Sequence, residues 1–415
     1  MRSGPERSHF SRLSRGDANL ALQRSVPASL FPEAPTGSIP GGPYRGAMPG
    51  IFRQRLPDFQ PPGAIFHLDW KARQVRIAWL CLPALALALL AGLLSGRPAD
   101  GLVAASGAMS VGFGALQRFS RGWAMPMLVA MLGMAASAAA GSLAGHWLPL
   151  LLLASGFWAA ACGLLAAVGT GAWWLGLQWN IALAVASAFP SSPEHALGRG
   201  GLILVGGALQ WVILVACRRY LPSPRGWPSD LQIPELLESL RLLASRRNPD
   251  RAYALRLACA AMGAVLASRL LDLPNGYWAP MTAVMVLKPR LDETYSRGLQ
   301  RVAGTLLGAG GATLVAALLQ PGPWTLAALV LAMAWVSYAL QRVNYAALST
   351  AISAYVVFLL ALVAMPEPEA AGHRILATLV GSGLAFAVDL LGWLFANPGR
   401  TGGDEAGSAP GEREQ

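Results

Sequence analysis

The chain has 415 residues, of which 54% are hydrophobic and only 13% are charged. That charged share is about half of the usual soluble value, which excludes an ordinary soluble domain. The formal net charge is +11. No nucleic-acid partner is predicted from it, because the basic residues are concentrated in loops beside the long apolar runs, as in membrane proteins.

The two ends of the chain differ from the apolar middle. Residues 1–70 are rich in Pro, Gly, Ser and Arg and show no apolar period. The last stretch, 398–415, is polar and glycine-rich. Such segments bury too little apolar surface to fold, so we predict a disordered extension at each end.

Between the ends, long runs without Asp, Glu, Lys or Arg predict membrane helices. The predicted class is an all-α polytopic membrane protein with about 12 transmembrane segments. Two of the segments, 101–116 and 277–288, are too short for an ordinary crossing and are expected to span or to dip. In chain order the predicted segments are 77–96, 101–116, 123–144, 147–168, 173–190, 200–217, 252–271, 277–288, 302–320, 324–340, 344–364 and 375–395.

The two halves of the chain resemble each other at a shift of about 175 residues. Gly101 to Leu143 aligns with Gly276 to Leu318, and each stretch contains Ser-Arg-Gly before a helix rich in small residues. An even number of spans per half gives both halves the same orientation. The sequence therefore predicts two parallel six-segment repeats, residues 71–219 and 252–397, as in some transporters.

The basic residues predict the orientation. Under an arrangement with both termini in the cytoplasm (N-in/C-in), the outer loops keep only Arg97, Arg199 and Arg374, and the other loop Lys and Arg residues lie inside. The linker 220–251 carries an amphipathic pattern, which predicts a helix on the inner membrane face.

The second half contains the stretches GYWAPMTAVMVLKP, residues 276–289, and RGLQRVAGTLLGA, residues 297–309. This pattern resembles the fusaric acid resistance protein-like family of bacterial inner-membrane proteins. That family includes aromatic acid exporters and is related to plant aluminium-activated malate transporters, which look like dimeric anion channels. The resemblance implies export of small organic anions, often aromatic, across the inner membrane, coupled to the proton gradient.

Two other functions stay open beside the exporter: a passive anion channel and a non-transporting membrane scaffold for envelope assembly. No catalytic set, metal-ligand pattern or cofactor motif is visible, so no enzyme is predicted. The expected partners are a small organic anion and the lipid bilayer. A homodimer is possible, since the glycine-rich helices suit close helix contact.

Short segments in corresponding positions of two transporter halves point to a substrate site. A helix start just before Met281 and Thr282 is expected to offer free N–H groups to a carboxylate. Tyr277 and Trp278 either stack on an aromatic substrate or anchor the membrane interface, and Arg256 either faces the anion or reaches the cytoplasm. The predicted substrate-binding residues are Arg256, Tyr277, Trp278, Thr282, Lys288, Arg297 and Arg301.

One carboxylate lies inside an apolar run: Asp389. Ionisable residues at such positions are rare and often functional, so Asp389 is either a proton-coupling site or the structural partner of an arginine. A polar seam runs from Tyr338 to Tyr355, and within it Ser349 and Ser353 share one helix face. The seam either lines a pathway or only bonds helices together.

Overall fold

The computed structural model describes residues 59–117, 124–221, 241, 250–362 and 370–396. The predictions for residues before 59, for nearly all of the amphipathic linker and for the tail after 397 lie outside these ranges. The described residues form helices and no strand. Helices are the expected solution for uncharged apolar runs, because a backbone in lipid must satisfy its hydrogen bonds internally.

Twelve helices of nine or more residues occur in the described ranges. The first six are α1 Val75–Leu94, α2 Pro98–Phe113, α3 Ala124–Ala144, α4 Leu148–Leu165, α5 Thr170–Ser187 and α6 Pro193–Ala216. The second six are α7 Asp250–Leu270, α8 Trp278–Val286, α9 Leu291–Leu319, α10 Pro323–Leu340, α11 Tyr345–Leu362 and α12 Ala370–Ala396.

Ten of these helices are long and apolar enough to cross a membrane, so the chain is a multi-pass α-helical membrane protein. The other two are α5, which carries Gln178 and Asn180, and α8. With nine residues, α8 is only about 14 Å long, half of a bilayer core. The other predicted short segment is longer than expected, because a turn extends α2 to give a candidate span from Pro98 to Leu116.

The same pairs of helices pack in both halves of the chain. The α2–α6 and α3–α5 contacts of the first half have counterparts in α8–α12 and α9–α11 of the second. Gly206 lies against the carbonyl of Ala104, and Gly381, 175 positions later, lies against that of Ala279. Across the halves, α4 packs on α7 and α10 packs on α1.

Two glycines of α9 bring this helix against α11. Gly304 lies against Ser349, and Gly308 lies against the carbonyl of Thr350. Such small residues let helix backbones approach closely in a membrane. The close approach places the polar seam of α11 beside the basic residues of α9.

The structure corrects the predicted disorder for residues 59–70. This segment contains a short helix, Pro62–Ile65, and leads into a 3-10 turn at Trp70–Ala72. Its order has a local cause, because the N–H of Asp69 donates to the carbonyl of Val343 and Ile65 is buried.

Candidate anion-binding site

The start of α8 differs from the prediction. The N–H groups of Trp278 and Ala279 donate to the carbonyls of Asn275 and Gly276, at 3.2 and 3.0 Å. The next residue, Pro280, has no N–H to offer. The prediction of free N–H groups at this helix start is therefore wrong: the turn before α8, with Asn275 at a φ of 55°, supplies the acceptors itself.

Arg301 lies on α9 and is only 2% exposed. Its Nη1 donates to the hydroxyl of Ser349 at 3.4 Å, and its Nε has no hydrogen-bond partner. The contact with Ser349 follows from the close packing of α9 and α11. A predicted site residue thus lies deep in the helix bundle beside the polar seam.

Arg374 was predicted in an outer loop, and the structure corrects this. Helix α12 begins at Ala370, before the uncharged run, and Arg374 is only 3% exposed. Its guanidinium carbon lies 3.9 Å from the centroid of the Trp278 ring, and Nη2 donates to the hydroxyl of Ser353 at 3.4 Å. Its Nε and Nη1 have no hydrogen-bond partner.

Arg301 and Arg374, hereafter the arginine pair, have no carboxylate partner among the residues that the structure describes. The ion pairs of the described residues include neither side chain, and the two guanidinium groups lie close enough to repel each other. An arginine does not lose its proton in proteins. Burying such charges without compensation is costly, which makes the arginine pair a strong attractor for an anion.

Hydroxyl groups on three neighbouring helices add hydrogen-bonding capacity near the arginine pair. Thr282 on α8, Thr305 on α9 and Ser382 on α12 have buried oxygens without a hydrogen-bond partner. Thr282 borders Gly381 of α12, and Thr305 is one turn beyond Arg301. Hydroxyls can donate to a carboxylate as well as accept, so they are able to complete the coordination of a bound anion.

A third arginine extends the arrangement toward the start of α9. The guanidinium of Arg297 lies 3.9 Å from the centroid of the Tyr345 ring, one turn before Arg301 on α9. Successive partners on α11 are four residues apart, or about 6 Å along the helix. We call this series the arginine ladder; its rungs are Arg297 with Tyr345, Arg301 with Ser349, and Arg374 with Ser353.

Lys288 lies beside the ladder and faces the first half of the chain. Its Nζ is 3.4 Å from the centroid of the Trp173 ring on α5. Lys288 follows α8 and is outside the candidate spans. Burial, together with repulsion from Arg297, holds the pKa of Lys288 well below its ordinary value.

Arg256 is part of a different arrangement, a buried ion pair. It pairs with Asp389, which is fully buried, and also donates to the carbonyl of Pro289 at 3.1 Å. The hydroxyl of Thr294 donates to the second carboxylate oxygen of Asp389 at 2.6 Å and accepts from the N–H of Lys288 at 2.9 Å. This network joins α7 and α12 to the loop between α8 and α9, as expected of the structural alternative for Asp389.

The structure thus brings five of the predicted residues around one region and leaves two outside it. Arg297 and Arg301 are rungs of the ladder, and Trp278 contacts Arg374. Tyr277 stacks beside Trp278, with the two rings 5.0 Å apart, and Thr282 is one turn further along α8. Lys288 lies next to the ladder, and Arg256 belongs to the ion pair with Asp389. Sequence reasoning missed Arg374, although a signal existed: Arg374, Thr378 and Ser382 are spaced by four residues and are all buried.

The fold and this cluster define a multi-pass membrane protein with a buried cationic site in its second half. Residues 260–388 match the family model described as fusaric acid resistance protein-like, which confirms the resemblance drawn from the sequence. All three ladder arginines lie within the match. Arg256 and Asp389, which form the ion pair, lie outside it.

Two curated relatives match a similar share of the chain. An uncharacterized protein of Synechocystis sp. is 30% identical over 142 residues, 34% of this chain and 19% of the relative. An uncharacterized protein of Neisseria gonorrhoeae is 30% identical over 135 residues, 32% of this chain and 32% of the relative. The chain thus spans no more than a third of the length of these relatives. No solved structure gives a significant match.

Proposed function

We propose that the protein transports small organic anions out of the cell across the bacterial inner membrane, and that the arginine ladder holds the anion on its way. One observation carries this proposal: the arginine pair is buried among four packed helices and has no carboxylate partner in the described residues. Arginines in such a position face functional pathways far more often than they serve packing.

A structural role for the arginine pair is the less economical explanation. Buried charges used for structure are paired, as Arg256 is with Asp389 in this chain. Within the described part of the chain, the arginine pair contacts neutral serine hydroxyls and the face of Trp278. An anionic ligand would supply the missing negative charge and accept bidentate hydrogen bonds, which the planar guanidinium group favours.

We extend the proposal to aromatic acids. One face of Trp278 is taken by Arg374, so the half-buried Tyr277 beside it is the more available ring for contact with an aromatic substrate. Aromatic rings at 4.5–7 Å gain about 0.5–1.5 kcal/mol beyond their buried area. The preference for aromatic over aliphatic acids would accordingly be modest and would depend on Tyr277.

Two parallel repeats with cytoplasmic termini complete the proposed transporter. The matched helix pairs support the repeats, as does the shared contact of Gly206 with Ala104 and of Gly381 with Ala279. The basic loops support the orientation. Coupling to protons would need a group that changes charge, for which Asp389 is the candidate named by the sequence.

A passive anion channel is the second candidate, and the ion pair favours it. Both carboxylate oxygens of Asp389 are engaged, one by Arg256 and one by Thr294. Protein donors thus occupy both oxygens, as in a structural ion pair. If Asp389 does not exchange a proton, the same ladder serves an anion that follows its own gradient.

Flux into proteoliposomes tests the proposal. Aromatic and dicarboxylic acids are offered with and without an imposed pH gradient, to the wild type and to Arg301→Met. Accumulation of an acid against its gradient that collapses with the pH gradient supports the exporter, and flux that only follows the anion gradient supports the channel. No flux of any acid would overturn the transport proposal and leave the scaffold, whereas equal flux through the wild type and Arg301→Met would remove the arginine ladder from the transport path.

A further inference from the structure

The segment that precedes α1 crosses the end of the arginine ladder. Residues 59–69, hereafter the strap, run over the first turns of α9 and α11. Gln300 donates to the carbonyl of Ile65 at 2.6 Å, and Asn344 donates to the carbonyls of Ile65 and His67 at 3.2 and 2.9 Å. The Phe59 ring lies 5.2 Å from that of Tyr295.

The two tethering side chains are neighbours of ladder residues. Gln300 directly precedes Arg301 on α9, and Asn344 directly precedes Tyr345, which faces Arg297. Asn344 also accepts from the N–H of Ala346 at 2.7 Å, as residues at helix starts do. The strap is therefore bound at the Arg297 end of the ladder and nowhere near its Arg374 end.

The strap is attached by few fully buried contacts. Its side chains Phe59, Phe66 and Leu68 are partly exposed, at 46%, 36% and 38%, whereas Ile65 is only 4% exposed. Detachment would uncover Ile65 and the covered parts of the other three side chains, and would break a few hydrogen bonds to carbonyl groups. Segments with few buried contacts open most readily by local unfolding.

We propose that the strap is a gate that controls access to the arginine pair from the Arg297 end of the ladder. This inference rests on the proposed function, because it assigns regulation to the same site. In the closed state the strap covers the ends of α9 and α11. In the open state Gln300 and Asn344 release the Ile65 carbonyl, and Arg297 and Arg301 become reachable from that side of the membrane.

Thiol labelling measures this access without any need for transport. Ser349→Cys places a thiol on the rung of Arg301, and Ser353→Cys is the second probe, in case the first variant folds poorly. Right-side-out and inside-out vesicles are treated with a membrane-impermeant thiol reagent. Modification is read at the single residue by peptide mass spectrometry, which leaves the four native cysteines in place.

Two substitutions release the strap and one serves as a matched control. Gln300→Ala removes the bond to Ile65, and Ile65→Ala removes the buried side chain. Gln341→Ala removes a similar bond, from a glutamine amide to the Phe113 carbonyl at 3.2 Å, which does not involve the strap. Gln300→Ala should label roughly three- to tenfold faster than the parent, the factor by which one net hydrogen bond shifts a closed–open equilibrium. Ile65→Ala, which removes buried apolar surface, should label at least as fast as Gln300→Ala.

The acceleration should occur from the strap side only and should be absent with Gln341→Ala. Equal labelling rates in the parent and in both release variants, or acceleration from both sides, would overturn the gate. Anion flux, measured in the wild type and the release variants without the cysteine probe, separates this result from the proposed function. If the release variants label faster but no anion flux is found, the gate stands and transport is rejected. If labelling does not depend on the strap but flux is found, transport stands and the gate is rejected.

Discussion

The two halves of the membrane domain share their packing and differ in their buried charge. Among the described residues of α1–α6, the buried polar side chains are all neutral: Ser137, Ser142, Ser155, Gln178, Asn180, Ser187 and Gln210. In α7–α12, Arg301, Arg374 and Asp389 are buried as well. Similar helix contacts therefore surround a neutral interior in one half and a charged cluster in the other, so the difference between the halves lies in their side chains.

The difference in buried charge can be followed residue by residue, by comparing positions that are 175 residues apart in the two halves. Arg256 and Asp389 correspond to Cys81 and Leu214, which are both fully buried in an apolar core. The counterpart of Arg374 is Arg199. Arg199 was also predicted in an outer loop, and the structure places it within helix α6. Arg199 is only partly buried and donates to the carbonyl of Phe189 at 2.8 Å.

The largest expected effect on anion transport comes from substitutions in the arginine pair. Arg301→Met and Arg374→Met should each weaken the apparent affinity for a transported anion roughly ten- to a hundredfold, the worth of one hydrogen bond to a charged group. Arg199→Met, the first-half control, should change it less than about twofold, since its bonds stay outside the ladder. The measurement is the anion concentration for half-maximal flux.

Stability separates a binding role from a structural one in the same variants. Replacing an uncompensated buried charge with methionine should leave the thermal unfolding midpoint in detergent unchanged or higher. A lower midpoint for Arg301→Met and Arg374→Met, beside unchanged anion affinity, would show that the arginine pair serves packing.

The ion pair gives the largest expected effect on folding. Arg256→Leu or Asp389→Leu alone should lower the free energy of unfolding by about 3–5 kcal/mol, because each leaves a buried charge without its partner. The double variant should recover most of that loss, since the first half holds apolar residues at both positions. Denaturant unfolding in micelles measures this, and strictly additive losses would contradict it.

Helix contact tests the shared packing at a smaller scale. Gly308→Ala should lower the free energy of unfolding by about 1–3 kcal/mol, because the added methyl meets the backbone carbonyl of Thr350. Gly133→Ala, its first-half counterpart, should cost less, because the nearest atoms to the methyl belong to the Trp179 side chain and not to a helix backbone. Gly310, which has open space around it, provides the control. An equal loss of unfolding free energy in Gly310→Ala would show that the contact with Thr350 is not the cause.

The smallest expected effect is a pH dependence from Lys288, whose first-half counterpart is Phe113. Its pKa lies well below the ordinary 10.5, so between these two values the unfolded chain binds more protons than the folded one. Stability should therefore rise with pH through that window. Lys288→Met should flatten the alkaline rise in the unfolding midpoint, and Lys71→Met, at an exposed site, should leave it intact. If the unfolding midpoint of Lys288→Met rises with pH as steeply as that of the wild type, Lys288 is not the source of the pH dependence.

Much of the candidate site was predictable, and the errors have local causes. Lys288, Arg297 and Arg301 could be named as candidates because basic residues next to apolar runs are conspicuous, and their role in binding stays a prediction. Arg374 was missed because it precedes the uncharged run, whereas the helix begins earlier and buries it. A helix start was predicted just before Met281, but the helix begins at Trp278. The first N–H groups are bonded by the preceding turn, a detail that depends on backbone angles at Asn275.

The sequence alone determined the class of protein, the second-half motif and the helical character of the spans. It could do so because a lipid environment demands long uncharged runs with internally bonded backbones, and such runs are visible residue by residue. Tertiary structure alone decided which charges meet. Arg256 and Asp389 are 133 residues apart in the chain, and Arg301 and Arg374 converge only because α9, α11 and α12 pack together. Contacts between distant helices depend on the fit of whole surfaces, so no local pattern distinguishes a paired arginine from one that awaits an anion.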